Sequence, residues 1–149
     1  MRRWRKRGAR SHAIGVSRGG RTTKVHALVD VIGRPLRLVL TPGNTSDIRG
    51  ADLLVTDAVR CKRMIADRGY DANKLPATLN ANDSIPVIPG RRNRKRPIQY
   101  DERSYKDRWR IEAMFRRLKD FRRIATRYDK LARHFLSAVE LAAAIAFWL

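Results

Sequence analysis

The sequence has very few of the residues that build disulfides and zinc sites. Cys61 is the only cysteine among 149 residues, so no internal disulfide can form and a Cys/His zinc site is excluded. The three histidines (His12, His26 and His134) are scattered, which is typical of surface or packing positions. This usage fits a reducing compartment, and we expect a cytoplasmic protein.

Acidic residues are also scarce. None precedes Asp30, and the chain has 34 lysines and arginines against 14 acids, for a net charge of +20. Such a charge attracts phosphate backbones and indicates nucleic acid as a partner, although a ribosomal or chromatin-like binder would have it too. Residues 1–23 are predicted to be a basic flexible arm. Arg18 and Arg21, with Lys24 just beyond the arm, are its expected DNA contacts.

Long hydrophobic runs are missing. The N-terminus lacks the apolar core of a secretory signal, and the apolar run Phe135–Leu149 is too short to span a bilayer. We therefore expect no membrane contact and a buried C-terminal helix, whose apolar end would also suit a second copy of the chain in a homo-oligomer. No GxxxxGK[ST] phosphate loop is present, so no nucleotide is expected.

Residues 24–149 have the pattern of an α/β domain. Alternating polarity and turn signals predict strands at 24–31, 36–40, 61–66 and 84–88. Helices are predicted from about residue 45 to 59 and at 72–79. Further helices follow Glu102, because no Gly or Pro occurs beyond it. This order indicates a mixed sheet with flanking helices.

A basic loop separates the last predicted strand from these final helices. It has the sequence GRRNRKRP and is expected to contact backbone phosphates rather than bases. Its predicted DNA contacts are Arg91, Arg92, Arg94, Lys95 and Arg96. Arg116 and Arg123, on the helices beyond, are predicted to bind DNA as well.

Four polar residues after this loop share one helical face. At about 100° per residue, Tyr105, Arg108, Glu112 and Lys119 fall within about 60° of one another. Flanking cations keep a carboxylate ionised, and an ionised carboxylate can bind Mg²⁺. The alternative is an ordinary amphipathic helix in which Arg108 and Glu112 form an i,i+4 ion pair.

Asp67 is the second candidate for chemistry. It follows a short apolar strand and precedes Gly69, which lets the backbone leave the strand sharply. Ligands usually bind at the carboxyl ends of strands in open α/β sheets. The alternative is a helix cap or a turn aspartate.

Together these blocks resemble the DDE-domain transposases of bacterial insertion sequences, and in particular the insertion-sequence 5 family. The signature Y-x2-R-x3-E-x6-K is present as Tyr105, Arg108, Glu112 and Lys119. The similarity extends to the segments SRGGRTTKVHALVD (17–30), PGN (42–44), ADRGYD (66–71) and RRIATRYDK (122–130).

The resemblance implies a ribonuclease H-like fold and a function in DNA transposition. It further implies two Mg²⁺ or Mn²⁺ ions held by two aspartates and a glutamate, with Asp67 as the second aspartate and Glu112 as the glutamate. The ions would drive phosphodiester hydrolysis and strand transfer at the element ends and in target DNA. Tyr105, Arg108 and Lys119 match the accessory positions. A bacterial, nucleoid-associated location is expected.

The first aspartate of this pattern is missing, since no acid precedes the predicted hairpin. The central first strand that carries it would be missing too, so the fold is expected to be incomplete. We therefore expect an upstream transposase portion to supply both the first aspartate and the strand that carries it. The chain would then be a frameshift partner or a decayed remnant. Alone, it is expected to bind DNA without cutting. The alternative function is a non-catalytic DNA-binding or inhibitory fragment of a transposase.

Overall fold

The structure, a computed structural model, describes residues 12–56 and 60–149. These residues form a mixed α/β architecture with one antiparallel and one parallel sheet, which confirms the predicted α/β class. The chain divides into two compact units. One comprises the residues up to Thr45 together with Ala113–Leu149, and the other comprises Ser46–Glu112.

The elements follow one another in nearly the predicted order. In chain order they are β1 (Gly15–Ser17), β2 (Gly20–Val29), β3 (Pro35–Pro42), α1 (Asp47–Leu54), β4 (Arg63–Ile65), a 3-10 turn (Arg68–Tyr70), α2 (Lys74–Ala81), β5 (Ile85–Val87), α3 (Glu102–Tyr105), a second 3-10 turn (Lys106–Arg108), α4 (Trp109–Lys119), α5 (Arg122–Ala125) and α6 (Ala132–Phe147).

The first unit is built on the antiparallel sheet β1–β2–β3. β1 and the early start of β2 differ from the prediction, which placed residues up to 23 in a flexible arm. Ser17 pairs with Gly20 across a tight turn, and Gly20 takes a φ of 93° that suits glycine. The backbone of residues 20–23 is thereby paired within the sheet. Residues 1–11 of the predicted arm lie outside the described residues.

Asp30 closes the predicted hairpin between β2 and β3. Its Oδ1 accepts hydrogen bonds from the backbone N–H groups of Ile32 (3.0 Å) and Arg34 (2.9 Å), and its Oδ2 accepts one from Arg34 Nε (2.7 Å). Burial acts to raise the pKa of Asp30, but the hydrogen bonds from Arg34 and Ile32 outweigh it and lower that pKa. The carboxylate of Asp30 is thus engaged in turn formation.

α6 supplies most of the first unit's helical core and packs on β3. Its buried residues Phe135, Val139, Ala142 and Ala143 recur at helical spacing, as expected for one apolar face. At its end the Trp148 indole donates to the carbonyl of Pro35 (3.1 Å). No helix in the described part of the chain is long and apolar enough to cross a membrane.

The second unit contains the parallel pair β4–β5, with α2 packed against β5 and α1 packed against α2 and the first 3-10 turn. Leu54, Leu75, Leu79 and Val87 are buried in its core. α1 ends at Leu54, earlier than the predicted residue 59, because Val55 turns to an extended conformation. Two consecutive β-branched residues, Val55 and Thr56, also disfavour helix continuation there. Residues 57–59 lie outside the described residues.

An ion pair between a buried aspartate and a partly exposed arginine holds the basic loop between β5 and α3. The Asp71 side chain, which is 1% exposed, accepts hydrogen bonds from Arg94 Nε (2.7 Å) and Nη2 (2.6 Å). It also accepts one from the backbone N–H of Arg91 (2.7 Å). The hydrogen bond from Arg94, supported by that from Arg91, lowers the pKa of Asp71 despite its burial.

We predict that Gly43→Ala destabilises the first unit. A Cβ at this position would overlap the Thr22 hydroxyl and lie 2.9 Å from the Thr22 carbonyl oxygen, so backbone must move. The expected loss in the free energy of unfolding is about 1–3 kcal/mol, measured by urea denaturation. Gly19→Ala is the matched control, because the nearest atom to its Cβ would be 3.8 Å away. Equal stability of the two variants would contradict the prediction.

We predict that the contribution of Asp71 to stability disappears in acid. Its folded pKa lies below the ordinary 3.8, so the stabilisation is complete above pH 3.8 and is lost as the pH falls through the folded value. Asp71→Asn should lower the free energy of unfolding by about 2 kcal/mol at neutral pH, with a difference that shrinks below about pH 4. Urea denaturation over a pH series measures both.

Asp52→Asn is the control for this prediction. Asp52 is 46% exposed and pairs with Lys74, also at the surface, so its replacement should cost less than about 0.5 kcal/mol. A difference between wild type and Asp71→Asn that persists unchanged into acid would show that the ion pair is not its source.

Candidate active site

Asp67 lies just beyond the carboxyl end of β4, in the second unit. Its Oδ1 accepts a hydrogen bond from the backbone N–H of Arg68 (2.6 Å) and so caps the 3-10 turn that follows. The cap turns the backbone away from the sheet while the carboxylate stays 55% exposed. The second carboxylate oxygen is therefore available to other groups at the strand end.

The guanidinium of Arg108 joins Asp67 to Glu112. Its Nη1 lies 3.3 Å from Asp67 Oδ2, and its Nη2 lies 2.7 Å from Glu112 Oε1. The i,i+4 ion pair between Arg108 and Glu112, which the sequence offered as the alternative, is therefore present. The same guanidinium also contacts Asp67, which follows a strand that is distant in the sequence. Two acids separated by more than forty positions in the sequence thus lie within the span of one side chain.

A second set of contacts ties β4 to the helical segment that carries Arg108. Arg63, on β4, donates to the Ser104 hydroxyl (3.0 Å) and lies 3.5 Å from the Asp101 carboxylate. Asp101 caps α3 by accepting from the backbone N–H groups of Arg103 and Ser104. The strand that ends near Asp67 is thereby held against the helix start that leads to Arg108.

Tyr105 and Tyr70 lie close enough to Asp67 for its charge to act on their phenol groups. The Arg108 guanidinium lies 5.6 Å from the centre of the Tyr105 ring, which packs edge-on against Tyr100. Burial raises the pKa of Tyr105, with Asp67 adding to the rise while Arg108 opposes it. Burial, Asp47 and Asp67 raise the pKa of Tyr70 to about 12. Tyr70 therefore remains a neutral phenol at physiological pH.

The four residues of the Y-x2-R-x3-E-x6-K signature do not lie on one regular helix. Tyr105 ends α3, Arg108 ends a 3-10 turn, and Glu112 and Lys119 lie on α4. Tyr105, Arg108 and Glu112 belong to the second unit, whereas Lys119 ends α4 in the first unit with an exposed side chain. The structure therefore brings Asp67, Tyr105, Arg108 and Glu112 together.

The pair of carboxylates has the chemistry of a hard cation site, but only part of one. Asp67 and Glu112 are 55% and 50% exposed, and they already hold one positive group between them. Carboxylate oxygens are the ligands that Mg²⁺ and Mn²⁺ prefer. Among residues 12–56 and 60–149, no group of three or more His, Cys, Asp and Glu side chains is placed to bind a metal. Asp67 and Glu112 are therefore the right type of ligand for a divalent ion, but two carboxylates are too few to complete its site.

The predicted DNA-binding cations fall into two groups. Four are engaged by neighbours: Arg94 by Asp71, Arg123 by Asp129 (2.8 Å), Lys24 by the Thr45 carbonyl (2.9 Å) and Arg91 by the Gly69 carbonyl (3.2 Å). The others have exposed side chains, namely Arg18, Arg21, Arg92, Lys95, Arg96 and Arg116. Exposure leaves this second group accessible to phosphates.

Three residues near the site have no part in the predicted constellation. Asp47 lies so close to Gly69 that a Cβ at Gly69 would be 2.7 Å from the Asp47 Oδ2. Tyr70 is the last residue of the same 3-10 turn, and Asp71 follows it. The segment ADRGYD contains two of them, so the similarity to transposases was the one available signal. Their roles depend on contacts with distant residues, which spacing along the chain does not reveal.

Comparison with curated protein sequences gives two relatives. A protein of Brucella ovis, named as a transposase for insertion sequence element IS6501, is 42% identical over 132 residues, which are 86% of this chain and 98% of the relative. A protein of Burkholderia cepacia, named as a transposase for insertion sequence element IS402, is 28% identical over 138 residues. The match covers 85% of this chain and 63% of that relative.

The comparison with solved structures found no match. The family described as "Transposase DDE domain" matches residues 3–147, which is nearly the whole chain. With the carboxylates of Asp67 and Glu112 gathered at a strand end, and with a relative of 42% identity over almost its full length, the chain belongs to the DDE-domain transposases of insertion sequences.

Proposed function

We propose that this transposase chain contributes Asp67 and Glu112 to a metal-dependent site that cuts and joins DNA. The observation that carries the proposal is the shared guanidinium of Arg108, which contacts both carboxylates at 3.3 and 2.7 Å. Two acids from separate elements meet where a strand ends, which is the usual place for a ligand in α/β proteins. An ordinary surface ion pair with Arg108 would need only one of these two carboxylates.

The electrostatics of the pair support a bound Mg²⁺ or Mn²⁺ ion. DDE transposases generally use divalent metal ions, and Asp67 and Glu112 offer oxygen ligands that solvent can reach. When bound, such an ion activates a water or a 3′-hydroxyl and stabilises the leaving oxygen of the phosphodiester.

In this site Arg108 has the accessory role. Its guanidinium suits a phosphate as well as a carboxylate, because both accept paired hydrogen bonds from its planar fork. We assign it to orienting Glu112 and, when DNA is bound, to the phosphate being cut. Tyr105 packs against Arg108 and limits the directions in which it can turn. Lys119 is assigned to DNA phosphate binding.

We further propose that a third carboxylate comes from an upstream transposase portion. No cluster of three acids is found in the part of the chain that the structure describes. β4 and β5 form a parallel sheet of only two short strands, whereas parallel strands normally lie inside larger sheets. A further strand bearing an aspartate beside this pair would complete both a ribonuclease H-like sheet and the metal site.

The substrates in this proposal are the ends of the mobile element and the target DNA. Exposed cations, including Arg92 and Arg116, would bind the phosphate backbone in a salt-dependent manner. Binding positions the strand, while the chemistry depends on the carboxylates. This division allows the two roles to be separated by mutation.

We predict that Glu112→Gln abolishes cutting and spares binding. In protein reconstituted with the upstream portion, cleavage of element-end DNA with Mg²⁺ should fall by about a hundredfold or more, because a metal ligand is lost. DNA affinity should stay unchanged or rise by about twofold, because one negative charge is removed. Glu102→Gln, the same change at an exposed residue of α3, is the control and should cut normally.

Full cleavage by the Glu112→Gln protein would refute the assignment of Glu112. Loss of cleavage and of DNA binding together would indicate a folding defect, which circular dichroism would detect. In that case the shorter acid in Glu112→Asp, which keeps the charge, should also cut poorly if ligand placement matters.

We predict that the chain alone binds element-end DNA without cutting it, because two carboxylates do not offset the charge of two divalent ions. The measurement is a cleavage assay with Mg²⁺ or Mn²⁺, with and without the upstream portion. Robust cutting by the chain alone, abolished by Glu112→Ala, would show that no third carboxylate need be supplied.

A further inference from the structure

The basic loop from Gly90 to Pro97 begins close to the turn that follows Asp67. Arg91 Nη2 donates to the Gly69 carbonyl (3.2 Å), and its backbone N–H donates to Asp71 Oδ2 (2.7 Å). Gly69 and Asp71 belong to the 3-10 turn and its end, which Asp67 caps. The loop is therefore anchored within a few residues of the candidate catalytic aspartate.

The anchor is a buried carboxylate that neutralises one loop cation. Asp71 is 1% exposed at its side chain and binds Arg94 through both carboxylate oxygens. Arg94 Nη2 also donates to the Asn73 side chain (2.9 Å), and its backbone N–H closes a turn onto the Arg91 carbonyl (3.1 Å). Both the start and the middle of the loop are thereby fixed to the same turn.

The exposed cations of the loop suggest what the anchor does for DNA binding. The segment GRRNRKRP contains no acid, so its cations repel one another and would spread an unanchored loop into solvent. With Arg94 paired to Asp71, Arg92, Lys95 and Arg96 stay exposed on a loop that is held at its start and middle. Cations held in place cost less entropy to order on a phosphate backbone than cations on a free loop.

We propose that the Asp71–Arg94 pair is a positioning element for DNA. It holds the loop Gly90–Pro97 beside the Asp67 turn so that Arg92, Lys95 and Arg96 contact the phosphates of the strand bound there. The inference rests on the proposed DNA-cutting role of Asp67. It makes Asp71 and Arg94 positioning residues, which act on DNA through the loop and do not touch it themselves.

The sign of one mutational effect tests this proposal. Asp71→Asn removes a negative charge, so charge alone would make DNA binding tighter. Loss of the anchor predicts the reverse, a Kd about fivefold weaker and a salt dependence reduced by about two phosphate contacts. The measurement is fluorescence anisotropy of the full chain with a short labelled duplex, without divalent metal, over about 50–200 mM salt.

A loop variant provides the matched background. Replacing Arg92, Lys95 and Arg96 by Gln removes the proposed contacts and leaves the anchor intact. In that background Asp71→Asn should change Kd by less than about twofold, because the anchor no longer has contacts to position. An equal weakening in both backgrounds would mean that Asp71 supports the fold in general, and would overturn the proposal.

If Asp71→Asn does not fold, Arg94→Lys provides a second test of whether the Asp71–Arg94 pair positions the loop. It keeps the net charge but loses the paired hydrogen bonds, so Kd should weaken about threefold while the melting temperature stays measurable. Binding by Asp71→Asn or Arg94→Lys that is as tight as wild type, or tighter, would overturn the proposal. Failure of the wild-type chain to bind DNA would instead overturn the proposed function.

Discussion

The guanidinium of Arg108 is the contact around which the candidate site is organised. Asp67 and Glu112 carry like charges, and at the distances seen here they would repel each other if nothing lay between them. Arg108 offsets that repulsion by contacting both carboxylates, which stay accessible to solvent. In the proposed function, the same two carboxylates contribute part of the ligand set of a divalent cation, and a third carboxylate completes it.

The large excess of positive charge gives the acids an unusual importance. With 34 lysines and arginines against 14 acids, most cations have no acid available to pair with. The position of each buried or half-buried acid therefore decides which cations form ion pairs within the fold. Asp71 holds Arg94, and the hydrogen bond from Arg123 lowers the pKa of Asp129 in the same way. The cations left over are those that we propose bind DNA.

Local physics accounts for much of the secondary structure. The β2–β3 hairpin, α2 and the final helices follow from alternation, turn residues and the absence of Gly and Pro after Glu102, and they lie within a few residues of their predicted bounds. The strand β1 has no apolar alternation of its own and was predicted as flexible. It forms because its backbone pairs with β2, a contact that a local pattern does not contain.

The sequence by itself determined the family and the positive charge, and it identified the two candidate carboxylates, because these depend on residue types and on short spacings. Only the tertiary structure decided that one guanidinium joins Asp67 to Glu112, and that Asp71 binds Arg94, one of the predicted DNA contacts. Both outcomes depend on which of many arginines lies nearest to a given acid in space. Tertiary packing decides which arginine that is, because the partners are 23 and 41 residues apart in the sequence. At such separations the spacing along the chain no longer predicts which side chains meet.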